Sequence, residues 1–199
     1  VGVGKQDMTY FNPGVVMFGY GKNGHRAYGV DIPLHAKAFV MESGSELLGI
    51  VVIEAMCCSI ALKQSVLEGL KAHFSKEIFT HHNLTVSGNH THNAAGGFSH
   101  EPMYNFSSGG YCPTVFKTYR DAIVKAMIDA YESRVEGVTE FQIDPFADDV
   151  PVAYNRSLKA YLKNKDAKTV KNNQEHLAIN RNMHHLLLKD TGGQLLGVI

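Results

Sequence analysis

The chain is expected to fold as an α/β structure, a mixed sheet with flanking helices. Three observations carry that expectation. Leu47 to Ala55 is a nearly continuous apolar run, Ser59 to Phe74 repeats apolar residues at helical spacing, and Leu84 to Ser87 returns to strand composition. Strand, helix and strand in that order make a βαβ-type unit, and ligands gather at the carboxyl ends of such strands.

Size and charge narrow the function classes. At 199 residues the chain fits one domain or a piece of a larger one. Lys+Arg and Asp+Glu both number 19, so no overall charge field favours nucleic acid or an anionic membrane. The lysines from Lys159 to Lys171 read as a solvated, mobile segment. No apolar run approaches the roughly 20 residues that span a bilayer, and no signal peptide is visible. Cys57, Cys58 and Cys112 have neither disulfide-framework nor zinc-ribbon spacing and read as buried small residues.

Taken in order, Val1 to Thr9 is glycine-interrupted and extended. Met17-Phe-Gly-Tyr-Gly21 reads as a glycine-rich turn, in which glycine also lets main chain approach a neighbour. Leu34 to Met41 and Leu47 to Ala55 form a hairpin through Glu42-Ser-Gly-Ser45. The second of these strands is apolar enough to be covered on both faces. Leu62, Val66, Leu67, Leu70 and Phe74 mark the buried stripe of the first helix. Ser99 to Cys112 is expected to be a long loop with exposed Tyr104, Phe106 and Tyr111. Pro113 opens a second helix with Phe116, Tyr119, Ile123, Met127 and Ala130 inward and Arg134 at its C-terminal end. Val138 to Ile143 is a strand, Pro145 to Asp149 a turn, and Leu158 to Gln174 an irregular excursion. Met183 to Leu188 and Gln194 to Ile199 flank Asp190-Thr-Gly-Gly193 as a hairpin. The last strand runs to the final residue, which reads as a truncated or divided domain.

The stretch with chemistry is Leu84 to Phe98. A short strand breaks at Gly88, presents His90 and His92, and ends in Gly96-Gly97. Extended geometry through Asn89 would put both imidazoles on one face, where they can share a site as metal ligand, proton carrier or oxyanion donor. A structural strand-end pair is the alternative. Gly96 and Gly97 allow main chain or a ligand to come close. His184-His185 reads as a strand pair, and His25, His35, His73, His81, His82, His100 and His176 as surface or hydrogen-bonded residues.

Two segments carry a family resemblance. Ser87-Gly-Asn-His-Thr-His-Asn-Ala-Ala-Gly-Gly97 resembles the Ser-Gly-Thr-His-Thr-His-Ser-Gly-Pro-Gly-Gly motif of the neutral (neutral/alkaline, non-lysosomal) ceramidase family. Asn155-Arg-Ser-Leu-Lys-Ala-Tyr-Leu-Lys-Asn164 is similar to its Asn-Arg-Ser-Pro-x-Ala-Tyr-Leu-x-Asn. Weaker echoes at Phe18-Gly-Tyr-Gly21, Lys37-Ala-Phe39 and Ala61-Leu-Lys…Val-Leu67 fall in the same order, as does the Asp190 hairpin, so the resemblance covers nearly the whole chain.

The resemblance implies the amino-terminal part, residues 1–199, of a ceramidase-like catalytic domain, truncated or divided before the family's second zinc histidine. It implies zinc-dependent hydrolysis of the amide of ceramide or a related N-acyl lipid to sphingosine and fatty acid. His90 would be a zinc ligand, and His92 would stabilise or reprotonate the reacting amide. Arg156 would meet substrate or the developing oxyanion, with Gly96 and Gly97 lining the substrate site. The remaining ligands would come from later sequence or from a second chain. No nucleic-acid partner is expected; peripheral membrane contact and a secreted or cell-surface location are.

The sequence also departs from the family pattern. Asn89 replaces Thr, Asn93-Ala-Ala95 replaces Ser-Gly-Pro, and Asn180-Arg-Asn182 stands for the usual Asp-Lys-Glu. The alternative expectation is therefore a catalytically inactive paralogue or fragment that binds lipid or a partner protein. Four Asn-x-Ser/Thr sequons, at Asn83, Asn89, Asn105 and Asn155, bear on a secretory compartment alone.

Overall fold

The structure is a computed structural model that describes residues 1–20, 25–147, 150–171 and 173–199. Gly21 of the glycine-rich segment, Asp148-Asp149 of the expected turn and Asn172 of the irregular excursion lie outside the described residues.

A four-stranded sheet organises the chain. β1 (Gly2–Asp7), β4 (His35–Ser43), β5 (Glu46–Ile53) and β6 (Leu84–Gly88) lie in that order, antiparallel except for the β5–β6 pair. The expected βαβ unit is β5, helix α1 (Ile60–Phe74) and β6. Ser59 caps α1, its hydroxyl accepting from the Leu62 amide at 3.2 Å. A two-stranded ribbon of β2 (Val15–Val16) and β3 (Arg26–Ala27) sits between β1 and β4 in sequence.

Both long helices cover one face of the sheet. Helix α3 (Pro113–Glu132) lies on β1 and β4, and α1 packs against α3. Alternation puts Ala36, Ala38 and Val40 of β4 and Val51 and Ile53 of β5 beneath them. These meet Leu62, Val66 and Leu70 of α1 and Tyr119, Ile123, Ala126, Met127 and Ala130 of α3 in one core. Arg134 lies just past the C-terminal end of α3, its guanidinium donating to the Tyr131 carbonyl, stacking 3.5 Å above that residue's ring and pairing with Glu42 at 2.9 Å.

Several expectations need correction. β5 buries one face only; Ile50 and Val52 on the other are half-buried, because β9 (Leu195–Val198) crosses only the β1 side, where Gly197 lies against Val3 and Phe39. The loop from Ser99 to Cys112 contains a short helix, α2 (Pro102–Phe106), which Pro102 opens and the Asn105 amide secures by donating to the Ser99 carbonyl. Tyr104, Phe106 and Tyr111 are exposed, as expected. The excursion begins with one helical turn, α4 (Leu158–Tyr161). The three cysteines are free and half-buried rather than buried.

The C-terminal half adds an antiparallel sheet of β7 (Gly137–Pro145), β8 (Asn182–Asp190) and β9. β7 is exposed along its length, with Val138, Phe141 and Ile143 uncovered. His184 and His185 are strand residues of β8 facing opposite ways. His184 lies by the Phe141 ring, and His185 stands 3.2 Å from Asp144.

Among the described residues no helix is long and apolar enough to cross a membrane. Three of the four sequon side-chain amides donate to main-chain carbonyls. Asn83 donates to the Ile78 carbonyl at 3.0 Å, Asn155 to that of Ala178 at 2.8 Å, and Asn105 to that of Ser99.

Candidate functional site

The site forms where the parallel strands β5 and β6 end. Past Gly88 the chain still follows β5 outward: the Asn89 amide donates to the Ile53 carbonyl at 3.0 Å and the His90 amide to that of Ala55 at 3.1 Å. The strand itself stops at Gly88, and His90 takes a left-handed conformation with φ 65°. Strand alternation therefore does not align the two histidines; a turn does. The Asn89 carboxamide accepts from the Thr91 amide at 3.0 Å, and the Thr91 hydroxyl from the Asn93 amide at 3.3 Å. The two rings end with centroids 4.9 Å apart. A left-handed non-glycine residue costs about 1–2 kcal/mol, which these local bonds offset.

His90 has a defined tautomer. Its Nδ1 lies 3.0 Å from the Met56 carbonyl oxygen, which can only accept, so Nδ1 is the donor and, in the neutral ring, Nε2 holds the lone pair. A backbone carbonyl orienting one ring nitrogen while the other is free is the arrangement of a metal-ligating histidine. Gly88 makes it possible. A Cβ there would stand 2.7 Å from the Ala55 oxygen and 2.9 Å from Cys57 main chain, so a side chain would push away the turn that holds His90.

His92 is placed by a different segment. Residues 16–20 run beside the motif loop: the Phe18 amide donates to the Ala94 carbonyl at 3.0 Å and the Gly96 amide to that of Val16 at 2.9 Å, about the Met17–Ala95 bridge. Tyr20 meets His92 edge-on with centroids 5.1 Å apart, stacks on His25 at 3.9 Å, and donates its hydroxyl to the Asn93 side chain at 3.3 Å. Beneath, the buried Tyr119 hydroxyl donates to the Ala95 carbonyl at 3.0 Å and Phe98 packs between Phe18 and Tyr119. Burial pushes the Tyr119 hydroxyl pKa up, so it remains a donor.

Gly96 and Gly97 are buried, and what comes close to them is the protein itself. Ser108 and Phe18 crowd Gly96, while Gly97, with φ 88°, faces the Gly110 carbonyl and Cys112. Arg156 is exposed at the turn before α4. Asn155 fixes that turn, accepting from the Ser157 amide at 2.8 Å while its own main-chain amide donates to the Glu175 carbonyl at 3.1 Å. Among the described residues no hydrogen bond, ion pair or ring contact joins Arg156 to His90 or His92.

Among the described residues no group of three or more His, Cys, Asp or Glu is placed to hold a metal ion. Thiol chemistry is disfavoured beside the histidines, because burial pushes the Cys58 thiol up to about 12 and raises Cys57 as well, where the Glu101 charge adds to it.

Glu54, just before the Ala55–Met56 turn, is the ion-paired group nearest the site in sequence. Its carboxylate accepts from Lys37 Nζ at 2.7 Å and from the His35 amide at 2.7 Å. Partial burial raises its pKa, but Lys37 and His35 outweigh that and hold it below its ordinary value. A depressed carboxyl contributes stability above its unfolded pKa and loses it as pH falls through the folded one. Glu54→Gln should therefore cost about 1 kcal/mol at pH 7, with the difference from wild type closing below about pH 4, read by denaturant melts across pH.

Gly19 and Tyr20 belong to the glycine-rich Met17–Gly21 segment, where a close main-chain approach is one of the two expected readings, and Gly19 makes that approach to His92. No pattern in the sequence marks His25 or Met56 for the site.

Comparison with known proteins places the chain in a family. The chain is 31% identical over 172 residues to neutral ceramidase 2 of Arabidopsis thaliana, covering 86% of this chain and 22% of that protein. It is 30% identical over 200 residues to the neutral ceramidase of Pseudomonas aeruginosa, covering all of this chain and 28% of that one. The crystal structure of neutral ceramidase from Pseudomonas aeruginosa superposes with a TM-score of 0.87 over 99% of this chain and 30% of its own. The chain thus spans less than a third of the length of these relatives. Residues 1–199 match the family profile described as neutral/alkaline non-lysosomal ceramidase, N-terminal. The chain belongs to the neutral/alkaline non-lysosomal ceramidase family.

Proposed function

We propose that the full-length protein is a zinc-dependent amidohydrolase that cleaves the N-acyl amide of ceramide, or of a related N-acyl lipid, to a sphingoid base and a fatty acid. The observation that carries this reading is the imidazole pair at the ends of β5 and β6. His90 offers a free Nε2 because Nδ1 is bound to Met56, and His92 stands beside it. The printed names of the relatives support the substrate class.

The donor chemistry of His90 fits zinc. Zinc takes three or four protein ligands, so His90 would hold it together with residues from outside these 199, in later sequence or a second chain. Zinc bound there supplies Lewis acidity and makes water a nucleophile near neutral pH.

The chain's own residues supply the rest. His92 carries a proton to the leaving amine nitrogen, which cannot depart as an anion at neutral pH. Arg156, always charged, stabilises negative charge on the former carbonyl oxygen when substrate and the remaining sequence bring the two together.

The test is hydrolysis of a defined N-acylsphingosine by purified full-length protein. Sphingosine and fatty acid should appear in equal amounts, stop on chelation and resume with added zinc. Ceramide binding without turnover by zinc-loaded protein would contradict the reading.

A further inference from the structure

Gly19 and His92 touch in a way that only glycine permits. A Cβ on Gly19 would stand 2.7 Å from Nδ1 of the His92 ring and nearer still to Cγ and Cδ2, and Gly19 has φ 124°, a region L side chains rarely adopt. The Gly19 main chain is therefore a wall against the imidazole.

That wall cannot retreat independently. The Phe18 amide is bonded to the Ala94 carbonyl at 3.0 Å and the Met17–Ala95 bridge precedes it, so residues 16–18 are fastened to the loop that carries His92. A second wall is the Tyr20 ring, edge-on at 5.1 Å and braced by its stack on His25 and its bond to Asn93. A side chain at position 19 must move the ring rather than the segment.

We infer that Gly19 is a positioning residue for the reaction, acting through His92. Its bare main chain, with Tyr20 beside it, sets the imidazole where the leaving nitrogen must receive its proton. This rests on the reading of His92 as the proton carrier, although the contact itself does not.

The experiment is a double-substitution cycle in the full-length protein: Gly19→Ala, His92→Ala and both. Gly19→Ala should lower kcat on ceramide about 100-fold with little change in KM, the cost of a displacement near 1 Å. Bound metal should be unchanged, because His90 is held by Ala55 and Met56. In the His92→Ala background Gly19→Ala should take nothing further from kcat. It should also lower Tm less than in wild type, since the ring is gone and only the φ strain persists. Tyr20→Leu, at a partly exposed position, should give a smaller loss of kcat that likewise vanishes without His92, and serves if Gly19→Ala does not fold.

Wild-type kcat for Gly19→Ala would overturn the inference, as would losses that multiply with that of His92→Ala. If His92→Ala turns over ceramide like wild type, the proton-carrier reading falls and the catalytic role of Gly19 with it. A surviving Tm coupling would identify that case.

Discussion

Replacing His90 by alanine in the full-length protein should remove bound zinc and ceramide hydrolysis together. The His90 ring has one nitrogen committed to the Met56 carbonyl at 3.0 Å, and the free one is what a zinc ion would take. Loss of a direct ligand should cost more than the ~10- to 100-fold in affinity that loss of an outer partner costs. Metal analysis after gel filtration, beside an assay of released sphingosine, reads both. A His90→Ala protein that keeps full zinc and full turnover would remove His90 from the site.

His92→Ala should separate the two. Its ring is placed by Gly19 and Tyr20 rather than by the Ala55–Met56 turn, so zinc content should stay at the wild-type level. Turnover should fall roughly 10²- to 10⁴-fold, the range for a positioned general acid or base, and added imidazole should restore part of it. Equal loss of metal would make His92 a ligand instead.

Much of the fold was legible because its elements have strong periodicities. Leu62, Val66 and Leu70 at helical spacing, and the apolar run ending at Ile53, left little choice for α1 and β5. The second face of β5 was misread because apolarity marks a residue fit for burial, not what covers it. The α2 turn was missed because a five-residue helix has too little period to see. Its signals, Pro102 and an Asn105 that reaches back to Ser99, read equally well as loop.

The site was legible in composition but not in geometry. His90 and His92 stand out as a pair, and extended geometry through Asn89 would align them by strand alternation. Gly88 ends the strand and His90 turns left-handed, so local bonds of Asn89 and Thr91 bring the rings together. Gly19 and Tyr20 lie more than seventy residues upstream of His92, a distance closed by the Met17–Ala95 bridge, the main-chain bonds on either side of it and the Tyr20–Asn93 bond. Arg156 came from resemblance to the family motif; its exposure follows from the Asn155 turn, not from any pattern in the surrounding lysines.

The most direct test is anomalous diffraction at the zinc edge from crystals of the full-length protein. One zinc is expected with His90 Nε2 at about 2.0–2.1 Å, while Nδ1 stays bonded to the Met56 carbonyl. Zinc bound elsewhere, or through Nδ1 with the Met56 bond broken, would contradict that expectation.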